Sequence, residues 1–215
     1  MPDQFFSKEN FHALCDRLAR KDKDLGKIIS QYGYPPLWHR PEGFATLVHI
    51  ILEQQVSLAS ARAAYDQLKL RIGTINPKKI LALTDEELRA CYFSRQKTIY
   101  VRHLASALVN KELHLHDFHD LTNEEIRTKL IAIKGIGHWT VEVYLMMVLH
   151  RCDLFPLGDI ALVNSMKKVK GLSKTTTREE IEQIASRWKP YRTIAAFLLW
   201  HAYINDRNMV LKDYD

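Results

Sequence analysis

Apolar residues recur along this chain at helical spacing. Ile181, Ile184, Ala185 and Trp188 fall on one stripe, and Val101, Leu104, Ala105 and Leu108 on another. Start signals precede such stretches. Thr84-Asp85-Glu86-Glu87, Thr122-Asn123-Glu124-Glu125 and Thr177-Arg178-Glu179-Glu180 each have the Thr-x-x-Glu form, in which the hydroxyl and the carboxylate serve unpaired backbone N–H groups at a helix start. Pro77, after Asn76, suits a first helical position. Segments 43–53 and 191–204 are apolar on nearly every side, which predicts buried central helices. No stretch alternates as an exposed strand does, so the prediction is an all-α fold.

Interruptions are short: Gly33-Tyr34-Pro35-Pro36 and Phe155-Pro156-Leu157-Gly158 break the helical pattern. One internal echo is present. Leu83-Thr84-Asp85-Glu86-Glu87-Leu88-Arg89 recurs as Leu121-Thr122-Asn123-Glu124-Glu125-Ile126-Arg127, and each leads through a basic turn into another helix. A duplicated helix pair and two independent helix starts both account for it.

At 215 residues, 47% hydrophobic and 26% charged, the chain is long enough for one large domain or two lobes and has ordinary globular composition. The net charge of +6 favours a polyanionic partner. No apolar run approaches the roughly 20 residues that span a bilayer, and the Met1-Pro2-Asp3-Gln4 start lacks the basic and apolar regions of a signal peptide. A cytoplasmic protein is expected. Cys15, Cys91 and Cys152 lie far apart, which excludes zinc-knuckle and iron–sulfur spacings and leaves buried thiols.

The most informative segment is Ile131-Ala132-Ile133-Lys134-Gly135-Ile136-Gly137-His138-Trp139-Thr140, where one helix ends, a tight two-glycine turn follows and another helix begins. Glycines at alternate positions permit positive φ and close approach to the backbone. The first N–H groups of the new helix then suit a phosphate, with Lys134 as an adjacent cation. A glycine-capped helical corner is the ordinary alternative. Further on, Asp159 stands where an irregular loop enters a helix, the place of an N-cap or of a carboxylate aimed at a substrate. Trp139 and Trp200 lie on apolar helices, where they serve either core packing or stacking on a base.

The run Ile133-Lys134-Gly135-Ile136-Gly137-His138-Trp139-Thr140, followed by Phe155-Pro156-Leu157-Gly158-Asp159, resembles the helix-hairpin-helix DNA glycosylases, and within them the 3-methyladenine (alkylpurine) DNA glycosylase II branch. Ile50-Ile51-Leu52-Glu53-Gln54-Gln55-Val56-Ser57, Phe93-Ser94-Arg95-Gln96-Lys97 and Arg187-Trp188-Lys189-Pro190-Tyr191-Arg192 extend the resemblance over roughly residues 40–205. It implies a two-lobed helical fold with the active-site cleft between lobes. One lobe would span approximately 45–155 and carry the hairpin at about 126–149; approximately 1–44 plus 156–215 would form the other.

By the same resemblance Asp159 is the catalytic residue, Trp139 and Trp200 line the base pocket with Tyr144 beside them, and Gln55 fills the gap left by a flipped nucleotide. Lys134, Gly135, Ile136, Gly137, His138 and Thr140 would hold a DNA phosphate, with a Na+ or K+ at the carbonyls of Ile131 and Ile133. No redox or organic cofactor is implied. Trp139 stands where strand-cleaving members carry a lysine nucleophile, so a monofunctional enzyme that uses water is expected. Glu53, Gly158 and Val143 depart from the pattern, occupying places where a glycine, a second acid and an aromatic residue are common. The implied activity is excision of alkylated, cationic purines from double-stranded DNA by a monomer. A glycosylase for oxidised, deaminated or mismatched bases and a non-catalytic DNA-binding module are the alternatives. The first 35 or so residues and the histidines other than His138 have no assigned role.

Overall fold

A computed structural model describes residues 5–209. In chain order its α-helices are α1 (Phe11–Lys21), α2 (Lys23–Tyr32), α3 (Phe44–Glu53), α4 (Leu58–Ile72), α5 (Pro77–Ala82), α6 (Asp85–Ala90), α7 (Arg95–Val109), α8 (Asn123–Ile131), α9 (His138–Met147), α10 (Ile160–Val169), α11 (Arg178–Ser186) and α12 (Arg192–Asp206). A 3-10 turn covers Leu115–His119, and an isolated bridge joins Phe5 to Arg151. The protein is all-α. No helix among the described residues is long and apolar enough to cross a membrane.

All three Thr-x-x-Glu capping boxes form, at Thr84/Glu87, Thr122/Glu125 and Thr177/Glu180. Asn76 caps α5 through Lys79 N at 3.0 Å, with Pro77 in the first turn. Each of these contacts lies within four residues, which makes it independent of the rest of the fold. The two apolar segments become α3 and α12, whose buried faces run Thr46–Glu53 and Thr193–Trp200 without a break. Leu108 and Ile184, expected on buried stripes, are only partly covered.

The chain divides into two compact units, Pro41–Tyr144 and the described residues of Met1–Arg40 with Leu145–Asp215. The division passes through α9 at Tyr144, eleven residues before the expected boundary near 155. The physical reason is local pairing: Arg40 N donates to Met147 O at 2.9 Å and Phe6 N to His150 O at 3.0 Å, which ties residues 145–151 to the N-terminal segment.

In the Pro41–Tyr144 unit, α3 packs on α4 and α7, and α7 also receives α5 and α6. Arg102 of α7 donates to Leu83 O at 2.7 Å and to Asp85 at 2.8 Å, fixing the α5–α6 corner.

In the other unit α12 is the centre, packed by α1, α2 and α10. Phe6, Phe11 and Phe197 meet with ring centroids 5.6–5.8 Å apart, so the N-terminal segment without an assigned role completes this core. Asp22 caps α2 and also receives Lys170 Nζ at 2.7 Å and Trp188 Nε1 at 2.8 Å. Burial pushes its carboxyl up, but the Lys170 and Trp188 hydrogen bonds outweigh that and hold it below its ordinary value. Cys15, Cys91 and Cys152 are buried and not in disulfides, and burial pushes the Cys15 thiol up to about 12.

Candidate active site

The turn between α8 and α9 is built by two successive tight hydrogen bonds, Ile133 N to Leu130 O at 3.1 Å and Ile136 N to Ile133 O at 3.0 Å. Gly135 lies between them at φ +95°, and a Cβ there would stand 2.0 Å from Tyr100 Cγ of α7. Only glycine allows that approach. Gly137 differs. Its φ is outside the left-handed region, and a Cβ on it would meet no atom within 4 Å. Its carbonyl accepts Val141 N at 3.1 Å, making it the cap of α9, and the N–H groups of the first helical turn point past it. Lys134 and His138 are exposed on either side.

Two of the expected phosphate contacts need correction. The Ile136 amide is committed to Ile133 O, and the Ile136 side chain is buried. Thr140 is 1% exposed, and its hydroxyl oxygen accepts Gln54 Nε2 at 2.9 Å, so its side chain braces the turn from within.

Gln55 sits in the turn joining α3 to α4, exposed, at φ +58°. The residue before it, Gln54, donates to Gly135 O at 2.8 Å as well as to Thr140. Lys97 of α7 donates to Leu52 O at the end of α3. Burial lowers the Lys97 pKa, opposed by the nearby Glu53 carboxylate. Glu53 is 7% exposed and lies 3.8 Å from His49 Nε2. Its departure from the expected small residue thus coincides with a buried group of charge-bearing side chains behind the turn. Sequence reading missed Gln54 and Lys97; the adjacent pair of glutamines was the available signal.

In the other unit, Pro156 and Phe155 carbonyls accept Asp159 N at 2.8 Å and Leu157 N at 2.9 Å, winding the loop tightly before α10. Asp159 is the N-cap, with Oδ1 accepting Leu162 N at 2.8 Å. Its side chain is half-buried, and Ile160 beside it is 77% exposed. A carboxylate has about four lone-pair directions, so a capping role does not by itself preclude a substrate-facing one. Ser165 of α10 donates to Leu199 O at 2.5 Å, fastening the Asp159 helix to α12, which carries Trp200.

Trp200 is 8% exposed and packs beside Phe197 at 5.8 Å and edge-on to Trp38 at 6.3 Å. Trp38, partly exposed, was not anticipated; it lies in the irregular segment between α2 and α3, where no periodicity marks it. Trp139 is partly exposed in the first turn of α9. Tyr144 corrects an expectation. Its ring is wholly enclosed, edge-on to Phe118 at 6.0 Å, and burial pushes its hydroxyl up to about 12. It presents no face for stacking.

Among the described residues no group of three or more His, Cys, Asp or Glu side chains is arranged to hold a metal ion. The Pro41–Tyr144 unit presents a backbone-lined helical hairpin and an exposed glutamine on a turn tied to it, and the other unit holds a carboxylate fixed at a helix start.

Residues 48–190 match the HhH-GPD superfamily of base excision DNA repair proteins. The chain is 30% identical over 202 residues to the alkylbase DNA glycosidase-like protein mag2 of Schizosaccharomyces pombe, covering 90% of this chain and 95% of that one. It is 29% identical over 182 residues to DNA-3-methyladenine glycosylase 1 of the same organism, covering 83% of this chain and 80% of the relative. Among solved structures, the Schizosaccharomyces pombe 3-methyladenine DNA glycosylase Mag1 in complex with abasic DNA superposes with a TM-score of 0.82 at 26% identity, covering 94% of this chain and 99% of that one. The chain belongs to the HhH-GPD superfamily of base excision DNA repair proteins.

Proposed function

We propose that this protein is a monofunctional DNA glycosylase of base excision repair that releases alkylated purines such as 3-methyladenine and 7-methylguanine. The observation that carries the reading is the Asp159 carboxylate, held by the first turn of α10 in a chain whose hairpin leaves the Gly137 backbone open. The relatives named as alkylbase and 3-methyladenine glycosylases support the same substrate class.

The protein acts as a monomer on double-stranded DNA. The hairpin grips one phosphate through the α9 N-terminus, Lys134 and His138, a contact that reads no sequence. The target nucleotide leaves the stack, and Gln55 fills the gap. Trp139 and Trp200 stack on the extruded base, an interaction worth about 1–3 kcal/mol per base and strengthened when the base is cationic. Alkylation at N3 or N7 weakens the bond to the sugar, and cleavage develops positive charge on the sugar ring. A carboxylate about 4 Å away at an effective dielectric near 20 contributes roughly 4 kcal/mol, about a thousandfold in rate. Asp159 stabilises that charge and positions the attacking water. With tryptophan at position 139, no lysine there forms a Schiff base, and the strand stays intact.

A Na+ or K+ suits the hard carbonyl oxygens of Ile131 and Ile133, and it would hold the hairpin in its phosphate-binding form. Ile133 O accepts the Ile136 N–H, and a carbonyl has a second lone pair for an ion.

The test is incubation of wild-type protein with methylated duplex DNA, followed by chromatography of released bases and gel analysis of the strands. Free 3-methyladenine or 7-methylguanine with unbroken strands is the expected result. Equal release of a neutral lesion such as hypoxanthine would overturn the selectivity for cationic bases.

A further inference from the structure

We infer that Gln54 is a positioning residue that couples the phosphate-gripping hairpin to the gap-filling Gln55, so that the two act as one rigid element; the inference rests on the DNA-glycosylase reading above. Gln54 closes α3 with extended backbone (φ −60°, ψ 122°), and the next residue turns into the left-handed region at φ +58°. A glutamine in that region is strained and persists only where neighbouring contacts determine it. Those contacts are visible on both sides. Lys97 holds Leu52 O, and Ser57 caps α4 through Ser60 N at 3.1 Å.

Between these anchors the Gln54 amide spends both of its N–H groups on the hairpin, one on Gly135 O and one on the Thr140 hydroxyl. The Gly135 carbonyl and the Ile136 N–H belong to one planar peptide, so fixing the oxygen fixes the direction of the whole unit. Thr140 lies in the first turn of α9, so the second bond fixes the start of the helix whose N–H groups would take the phosphate. A displacement of the hairpin on phosphate binding is thereby passed to the backbone of Gln55. Hydrogen bonds with nearly buried partners hold such geometry well, because their loss leaves polar groups unsatisfied.

The test is a double-mutant cycle in the full chain, reading equilibrium affinity for a duplex with a tetrahydrofuran abasic-site analogue and for the same duplex undamaged. Gln54→Met keeps the side-chain length and removes both donors; thermal unfolding first establishes that each variant is folded at the assay temperature. In the wild-type background Gln55→Ala lowers affinity for abasic duplex about tenfold. In the Gln54→Met background the same substitution costs at least threefold less, because the wedge is already uncoupled. Thr140→Val shows the same shortfall and Thr140→Ser does not, which separates the hydrogen bond from general packing and replaces Gln54→Met should that variant not fold. A shortfall smaller than threefold overturns the coupling, since a residue that only stabilises the fold gives additive effects. Loss of affinity absent from Gln55→Ala in the wild-type background overturns the assignment of Gln55 and the coupling with it. Base release by the wild type remains an independent readout, so failure of the glycosylase reading is distinguishable from failure of this one.

Discussion

Replacing Gly135 and Gly137 one at a time by alanine separates the folding of the hairpin from its grip on DNA. At Gly135 an alanine Cβ would lie 2.0 Å from Tyr100 Cγ and 2.5 Å from Tyr100 Cβ, atoms too near the α7 backbone to swing aside. The left-handed φ of +95° adds about 1–2 kcal/mol for a residue with a Cβ, and the forced displacement of Tyr100 about 1–3 kcal/mol. The sum, about 2–5 kcal/mol, lowers the Tm by on the order of 10 °C in a chain of this length. Gly137→Ala meets no neighbour and no unfavourable φ, so its unfolding transition stays within about 1 kcal/mol of wild type. Its methyl group, however, occupies the space a phosphate oxygen needs to reach the first-turn amides. Loss of a charge-assisted hydrogen bond of about 1.5–3 kcal/mol weakens binding of undamaged duplex about tenfold to a hundredfold. The assay is fluorescence anisotropy over a range of salt concentrations, where one lost phosphate contact reduces the slope of log K against log salt by about 0.9. Wild-type affinity and slope in a folded Gly137→Ala protein would refute the phosphate assignment.

Trp200→Ala lowers kcat/KM for 3-methyladenine release about tenfold to a hundredfold through lost stacking, and Trp38→Ala lowers it less because Trp38 meets Trp200 only edge-on; steady-state release assays decide both. Replacing Na+ and K+ by tetramethylammonium at constant ionic strength weakens duplex binding several-fold if the Ile131 and Ile133 carbonyls hold an ion. Asp22→Asn destabilises the protein by about 2 kcal/mol, measured by urea unfolding at neutral pH, because Lys170 and Trp188 lose a charged acceptor. The Asp22 carboxyl is depressed in the folded state, so its contribution is present above the unfolded carboxylate pKa near 4 and is lost as pH falls through the lower folded value. Wild type and Asp22→Asn therefore converge in stability in strong acid and differ most at neutral pH.

The parts of the fold that were legible are those decided within a few residues. Three Thr-x-x-Glu boxes, the Asn76 cap and the Asp159 cap depend on a side chain and a backbone N–H three positions on, and all of them form. The all-apolar stretches announced α3 and α12 for the same reason. Roles decided by a distant partner were not legible. Thr140 reads as one more polar residue at a helix start until Gln54 reaches it, and the Ile136 amide looks available until the turn closes on Ile133. Tyr144 lies next to a pocket position in sequence, yet packing against Phe118 turns its ring inward. The α1 start was hard to see because Asn10 makes no side-chain cap to that helix; its oxygen accepts Ser7 N instead. The division within α9 likewise depends on Phe6 and Arg40, which come from far upstream.

In the proposed mechanism the Asp159 carboxylate supplies the charge that drives base release. The decisive experiment is single-turnover release of 3-methyladenine from duplex DNA, wild type against Asp159→Asn. Asparagine can still accept the Leu162 N–H through its amide oxygen, so the cap survives while the negative charge is lost. A rate about a thousandfold lower with duplex affinity unchanged is the predicted result. Release by Asp159→Asn within tenfold of wild type would contradict it.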